Sequence, residues 1–227
     1  MKRALLRIFI SVAVGLAALT GMCFLLINIL GSNEPTFNGK SVYDWTEQLK
    51  TSSSNSAVTI IQQHVIPQLV KTMVSDTNDS NIRLWLIDNF NKLPGVNIYY
   101  PIADSRRQHA TESLGEFGKT AAPAFAALLQ SFQGQDLAVK GTAGRSLARI
   151  GTQPSIVIPL LVHALDDENL REDAADGLGE FGPAAAAAVP KLTELLEVRD
   201  KELHRAVVNA LQKISPPSMQ APPGDGR

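Results

Sequence analysis

A single cysteine, Cys23, is all the thiol chemistry in this 227-residue chain, and it lies inside an apolar run. The rest of the chain therefore has no disulfide, no Cys-x-x-Cys redox pair and no thiolate metal site. Histidine is nearly as sparse. His64, His109, His163 and His204 form no His-Glu-x-x-His or His-x-His spacing, and none is adjacent to a glutamate, so a structural or solvent-facing role is expected for each. Gly-x-Ser-x-Gly, the Walker glycine loop and the dinucleotide fingerprint are absent as well. With no constellation left to carry catalysis, no enzyme activity, cofactor or metal is expected.

An excess of positive charge is missing too. The 21 Lys and Arg include Lys2, Arg3 and Arg7, which leaves 18 against 22 Asp and Glu in the remainder, a formal balance of −4. Nucleic-acid binding draws on several basic contacts to phosphate, and such a balance argues against it.

What the chain does have is a long apolar run. Ile8 to Leu30 contains 23 residues and no charge. At about 1.5 Å per helical residue it is long enough to cross a hydrocarbon core of about 30 Å. A cleaved signal peptide is the rival reading, but its apolar stretch usually spans about 7–15 residues before a small-residue cleavage site, and here the apolar residues continue well past Ala17 and Ala18. Cys23 follows Met22 rather than a small residue, unlike a lipoprotein site. The three early positive charges precede the run and place the N-terminus in the cytoplasm, with the remainder exported.

The chain also repeats itself, most visibly in the sequence LGEFG at Leu114–Gly118 and again at Leu178–Gly182. Arg107, Ala110, Leu114, Phe117 and Gly118 align with Lys140, Ala143, Leu147, Ile150 and Gly151, then with Arg171, Ala174, Leu178, Phe181 and Gly182. A weaker copy follows at His204, Val207, Leu211, Ile214 and Ser215. Successive offsets are 33, 31 and 33 residues, a period of the length that marks stacked repeat architectures. Apolar slots four and then three apart share one helical face. Each glycine falls where a chain leaving a helix turns left-handed, and this favours helix termination over phosphate binding for Gly115-Glu-Phe-Gly118. Gly115 and Gly179 align with Ala148, a small slot expected to let neighbouring helices approach closely.

A second helix is predicted after each glycine. Phe125, Leu128 and Phe132 correspond to Ile158, Leu161 and Leu165, and to Val189, Leu192 and Leu196, with Pro159 and Pro190 expected near helix starts. Each unit is then a helical hairpin that must stack on its neighbours to bury its two apolar stripes.

The pattern AxxxLGxFG, a short linker, VPxLxxLL, a polar turn such as Asp166-Asp167-Glu168 and an Arg-led next helix resembles a HEAT repeat of the short bacterial kind. The resemblance covers about Arg106 to Ile214. It extends upstream through Ile66-Pro67-Gln68-Leu69, similar to the second-helix motif, and through Arg83, Leu86, Phe90 and Leu93, which echo the first-helix slots. The stretch Phe37 to Leu49 after an apolar run resembles the start of anchored bacterial HEAT-repeat proteins of unassigned role. There Ser41 and Asp44 are placed to cap a helix carrying Val42, Trp45 and Leu49 inward. Departures from the pattern are the missing glycine near Gln63-His64 and the irregular insertion Pro94 to Ser105.

The expected fold is therefore all-α, an α-solenoid of HEAT-like superhelical type preceded by one transmembrane helix. Its segments are a cytoplasmic N-terminus at 1–7, a span or uncleaved anchor at 8–30, a linker at 31–40, capping helices and a degenerate repeat at 41–105, HEAT-like repeats at 106–214, and a Pro/Gly-rich tail at 215–227 expected to be disordered.

Some HEAT-like proteins are enzymes, and the comparison is instructive. Deoxyhypusine hydroxylases hold iron with His-Glu pairs, which this chain lacks. HEAT-like DNA glycosylases need a cationic groove, and an exported protein fits poorly with phycobilin lyases acting on cytoplasmic antennae. The acidic patch of Asp166, Asp167, Glu168, Glu172 and Asp173 lacks the alternation and glycine of a calcium loop and reads as a solvated turn with acids near a helix N-terminus. Tyr99-Tyr100-Pro101 reads as a packed loop or an exposed aromatic contact.

In the HEAT family the second helices commonly line the partner-binding side. The resemblance thus implies a protein partner met by two outward rows, Ala127, Leu160 and Lys191 in one and Gln130, His163 and Glu194 in the other. The expected function is a scaffold or adaptor in the cell envelope, anchored through 8–30. Its alternatives are a HEAT-like enzyme or lyase and a secreted structural module whose leader has been removed.

Overall fold

The computed structural model describes residues 39–51, 55–76, 79, 81–92 and 102–215. The apolar run, Tyr99 to Pro101 and the tail beyond Ser215 lie outside these residues. Among the described residues no helix is long and apolar enough to cross a membrane.

The described chain is all-helical, with no β-strand among its elements. We number the helices α1 (Val42–Thr51), α2 (Asn55–Ile60), α3 (Ile66–Ser75), α4 (Asn81–Asn91), α5 (Ala103–Glu116), α6 (Phe125–Gln133), α7 (Leu137–Ile150), α8 (Pro154–Ala164), α9 (Arg171–Phe181), α10 (Val189–Leu195) and α11 (Lys201–Ile214). The described residues fall into two compact units, one containing α4 and the other containing α1–α3 and α5–α11.

In the larger unit the first helices of the repeats, α5, α7, α9 and α11, pack each against the next, and α6, α8 and α10 each pack on the first helix that follows. Their shared core is the repeat written in leucine: Leu114, Leu147 and Leu178 of the first helices and Leu128, Leu161 and Leu192 of the second are all fully buried. Burying one such side chain contributes about 1.5–3 kcal/mol, so the repeated slot is a main source of cohesion.

Glycines stop the first helices as the spacing predicts. Gly151 caps α7 in the left-handed region at φ 67° and ψ 15°, and Gly182 caps α9 at φ 55° and ψ −136°, a conformation that only glycine adopts readily. The connections that follow differ. After α5 and α9 the chain runs through 3-10 turns at Gly118–Ala124 and Gly182–Ala188, whereas after α7 it enters α8 almost at once. Pro154 at the first turn allows this, since its missing N–H has no intrahelical partner to lose there. Pro159 consequently lies inside α8 rather than at its start, a correction to the sequence reading, while Pro190 does open α10.

Close helix contact depends on the small slots. A Cβ built on Gly115 would sit 2.8 Å from Ser146 Oγ and 3.0 Å from Ser146 Cα, and one on Gly179 would sit 3.1 Å from Ala210 Cα. The α5–α7 contact is sealed by Ser146 Oγ, which donates a buried 2.8 Å hydrogen bond to the Thr111 carbonyl.

Four other expectations are corrected. The buried slot at the start of the second helices is Ala124, Val157 and Ala188, one residue before Phe125, Ile158 and Val189, which are only half-buried. Leu196 and Phe181 are half-buried as well. In α11 the inward face is Leu203, Ala206, Val207, Ala210 and Ile214, and Leu211 is half-buried, because α11 packs on α9 and α10 and no described helix follows it. Finally, α5 starts at Ala103, so the segment expected to be irregular up to Ser105 ends earlier.

Upstream, the missing glycine near Gln63 is replaced by a π-helical turn, Ile61–Val65, that carries α2 into α3 without a stop. Gln62 Nε2 donates to the Thr120 carbonyl across this turn at 3.2 Å. Ile66, Leu69 and Met73 of α3 are buried at the positions the second-helix motif requires. The helix α1 is capped as expected: Ser41 N donates to Asp44 Oδ2 at 2.9 Å, Asp44 N donates to Ser41 Oγ at 3.2 Å, and Trp45 is buried. Asp76, at the end of α3, accepts two 2.7 Å bonds from the buried guanidinium of Arg106 in α5. This bond and its attendant charge hold the Asp76 carboxyl below the usual range.

Candidate functional site

The second helices are less tightly joined to one another than the first helices are, and an ion pair ties α10 to the end of α8. Lys191 of α10 reaches across to Asp166, after α8, and its Nζ lies 2.5 Å from Asp166 Oδ2. One repeat earlier, the residue aligned with Lys191 is Leu160 and the residue aligned with Asp166 is Gln133. These two cannot form an ion pair, so the ends of α6 and α8 are left without that tie.

An open groove of about 400 Å³ lies there, lined by Phe132 and Gln133 of α6, Lys140 of α7, Leu160, His163 and Ala164 of α8, and Asp166, Asp167 and Leu170 of the following turn. Phe132, Ala164 and Leu170 are themselves buried, and Leu160 is half-buried, which gives the groove an apolar wall. Lys140 adds one positive charge and Asp166 and Asp167 add two negative ones, of which Asp166 is paired with Lys191.

The acidic groups in and beside the groove have structural tasks as well. The hydrogen bond from Lys191, with the nearby charges of Lys191 and His163, holds the Asp166 carboxyl below its ordinary range. His163 Nδ1 is 3.6 Å from that carboxylate, and its side chain is 87% exposed. Asp167 accepts the backbone N–H of Asn169 at 3.0 Å, and Glu168 lies 3.7 Å from Arg171. The acidic patch is thus largely a capped, ion-paired turn.

Asp173 departs from that reading. It is half-buried between α9 and α7, with Oδ1 2.9 Å from Arg145 Nε and Oδ2 where a Cβ on Gly141 would have to be. Burial pushes its carboxyl up, opposed by Arg145 and reinforced by Asp176 and Glu112. Glu172 is likewise pushed up by burial and by Asp173, Asp176 and Glu202. Among the described residues no group of three or more His, Cys, Asp or Glu is placed to hold a metal ion.

Of the six residues expected to face a partner, the structure brings Leu160 and His163 together in the groove. Gln130, His163 and Glu194 are exposed, as an outward row requires, whereas Ala127, Leu160 and Lys191 are half-buried. Lys191 is engaged by Asp166, and Ala127 and Leu160 pack partly against the core. All four histidines are exposed.

Sequence reasoning missed the groove because Phe132 and Lys140 had already been assigned to repeat slots. It also missed a periodic aspartate. Asp136, Asp167 and Asp200 each stand four residues before the leading slot of a first helix, and each accepts the backbone N–H two residues on. Arg107 of the preceding first helix also grips Asp136. Asp136 and Asp200 are the N-caps of α7 and α11, whereas Asp167 serves the turn ahead of α9, whose N-cap Leu170 makes no side-chain bond; the spacing of 31 and 33 residues was a readable signal for the three.

No family model matches the chain, and no curated protein matches it. The groove has an apolar wall and flanking charges, and that arrangement suits recognition of an apolar side chain with polar flanks.

Proposed function

We propose that the chain is a HEAT-repeat scaffold: an α-solenoid anchored in the cell membrane by residues 8–30, with its N-terminus in the cytoplasm and the helical region exported, which binds another protein through its second-helix surface and performs no catalysis. The observation that carries the reading is the groove between α6 and α8, where Leu160 and Gln133 stand in place of the Lys191–Asp166 tie. Support also comes from first helices packed in series with a period of about 32 residues, the pattern by which repeat proteins build an extended surface. The uncharged run Ile8–Leu30 and the basic residues before it support the anchor and its orientation.

The test is quantitative capture of the tagged full-length protein from its native cell in detergent, beside Leu160→Asp and the distant surface variant Gln212→Ala. The expected result is one near-stoichiometric envelope protein with the native chain and Gln212→Ala, and its loss with Leu160→Asp at unchanged helical content. Equal recovery with Leu160→Asp, or no stoichiometric partner with any version, would refute the groove as the binding surface.

A further inference from the structure

We propose that the groove between α6 and α8 takes an internal segment of the partner in which one large apolar side chain is flanked by an acidic residue, met by Lys140, and a basic residue, met by Asp167. The proposal rests on the scaffold reading above and names the chemistry of the segment bound.

A difference between two successive units carries it. In the first, Arg107 of α5 is held by two carboxylates, Asp104 on its own helix and Asp136 ahead of α7. One unit later the aligned residues are Lys140, Leu137 and Asp167. Leucine removes one carboxylate, and lysine exchanges a forked guanidinium for a single ammonium on a flexible stem. Among the described residues the Lys140 ammonium has no ion-pair partner. Asp167 accepts only from the neutral N–H groups of Asn169, at 3.0 and 3.3 Å. Both residues are half-buried and both line the groove. Two unjoined charges of opposite sign thus stand beside an apolar wall, while Asp166 adds no open charge because Lys191 holds it.

An occupant complementary to this lining brings an apolar side chain, a carboxylate and a cation. A chain terminus brings one backbone charge, whereas an internal segment with Asp or Glu on one side of a Leu, Ile, Met or Phe and Lys or Arg on the other brings both. The volume of about 400 Å³ is near the low end of the about 300–1,000 Å³ of ligand pockets, so it holds a few residues of chain rather than a folded domain.

A display library of random linear peptides is panned against the full-length protein in detergent, beside Lys140→Gln and Leu160→Asp, with helical content measured for each. The expected result is that wild type enriches an apolar residue between an acidic and a basic one, that Lys140→Gln keeps the apolar and basic preferences but loses the acidic one, and that Leu160→Asp enriches nothing. A recovered peptide is expected to bind Lys140→Gln about three- to tenfold more weakly than wild type, as for a partly solvated charge-assisted contact. The same peptide with its acidic residue changed to the amide is expected to bind both chains equally. If Leu160→Asp abolishes enrichment but the acidic preference is absent, or survives Lys140→Gln, the charge assignment is overturned and the groove stands as the binding surface. Enrichment that persists in Leu160→Asp at native helical content overturns the groove reading itself and the proposal with it, as does a lack of any enrichment by wild type.

Discussion

Replacing Gly115 by alanine adds one methyl group at the tightest point between α5 and α7. The new Cβ would lie 2.8 Å from Ser146 Oγ, 3.0 Å from Ser146 Cβ and 3.0 Å from Ser146 Cα, whereas carbon atoms in comfortable contact sit about 3.5–4.0 Å apart. A rotamer change can move the hydroxyl but not Cα or Cβ, so the helices themselves must separate by about 0.5–1 Å to restore that spacing. Overpacking of this kind costs about 1–3 kcal/mol. If Ser146 also loses its bond to the Thr111 carbonyl, a further ~0.5–1.5 kcal/mol is lost. Against this, alanine gains at most about 1 kcal/mol of helix propensity, and less so close to the end of α5. The net expectation is destabilisation by about 1–3 kcal/mol, read as a lower urea midpoint with unchanged slope, while exposed Glu116→Ala stays within about 0.5 kcal/mol of wild type. A Gly115→Ala protein as stable as wild type would refute the idea that the small slot sets the helix spacing.

Two further outcomes follow from burial and charge. Leu178→Ala removes a fully buried side chain and is expected to cost about 2–5 kcal/mol, more than Phe181→Ala, whose ring is half-buried and whose loss falls below the about 3–5 kcal/mol of a core phenylalanine; chemical denaturation of both orders them, and the reverse order refutes the burial assignment. Asp76 and Asp173 tilt stability against pH in opposite senses. The lowered Asp76 carboxyl makes the native state bind fewer protons than the unfolded chain, so its contribution is lost as pH falls below about 4, and Asp76→Asn should flatten that acid limb of a Tm–pH profile. The raised Asp173 carboxyl does the reverse: stability declines as pH rises from about 4 through its elevated value, and Asp173→Asn should flatten that limb. Unchanged limbs in both variants would remove the basis for these two assignments.

The repeat was legible because helical burial has a short period. Leu114, Leu147 and Leu178 recur at fixed offsets, and one glance along the chain locates the core they form. Gly151 and Gly182 were legible for a similar reason, since a backbone stop leaves a residue-type signature. Which of two adjacent apolar residues turns inward was not legible. Val157 and Ile158 are equally apolar, and the choice between them depends on where α8 begins, which Pro154 decides. The groove was hidden for a different reason. It exists through a difference between repeats, Leu160 and Gln133 where the next unit has Lys191 and Asp166, and aligning for similarity passes over differences. Asp173 shows the same limit in electrostatics, because its burial depends on Gly141 in another helix leaving room for a carboxylate.

The Arg106–Asp76 pair has a consequence for how this chain tolerates change. It joins residues 30 positions apart, closing the backbone excursion between them at its base. Once both ends are fastened, the entropy of the intervening loop grows only with the logarithm of its length, about 0.6 kcal/mol for each doubling. The helical row on either side is therefore insulated from insertions and deletions within residues 77–102. That stretch is the natural place for this protein to diversify, able to lengthen, shorten or be exchanged while the repeats around it keep their register.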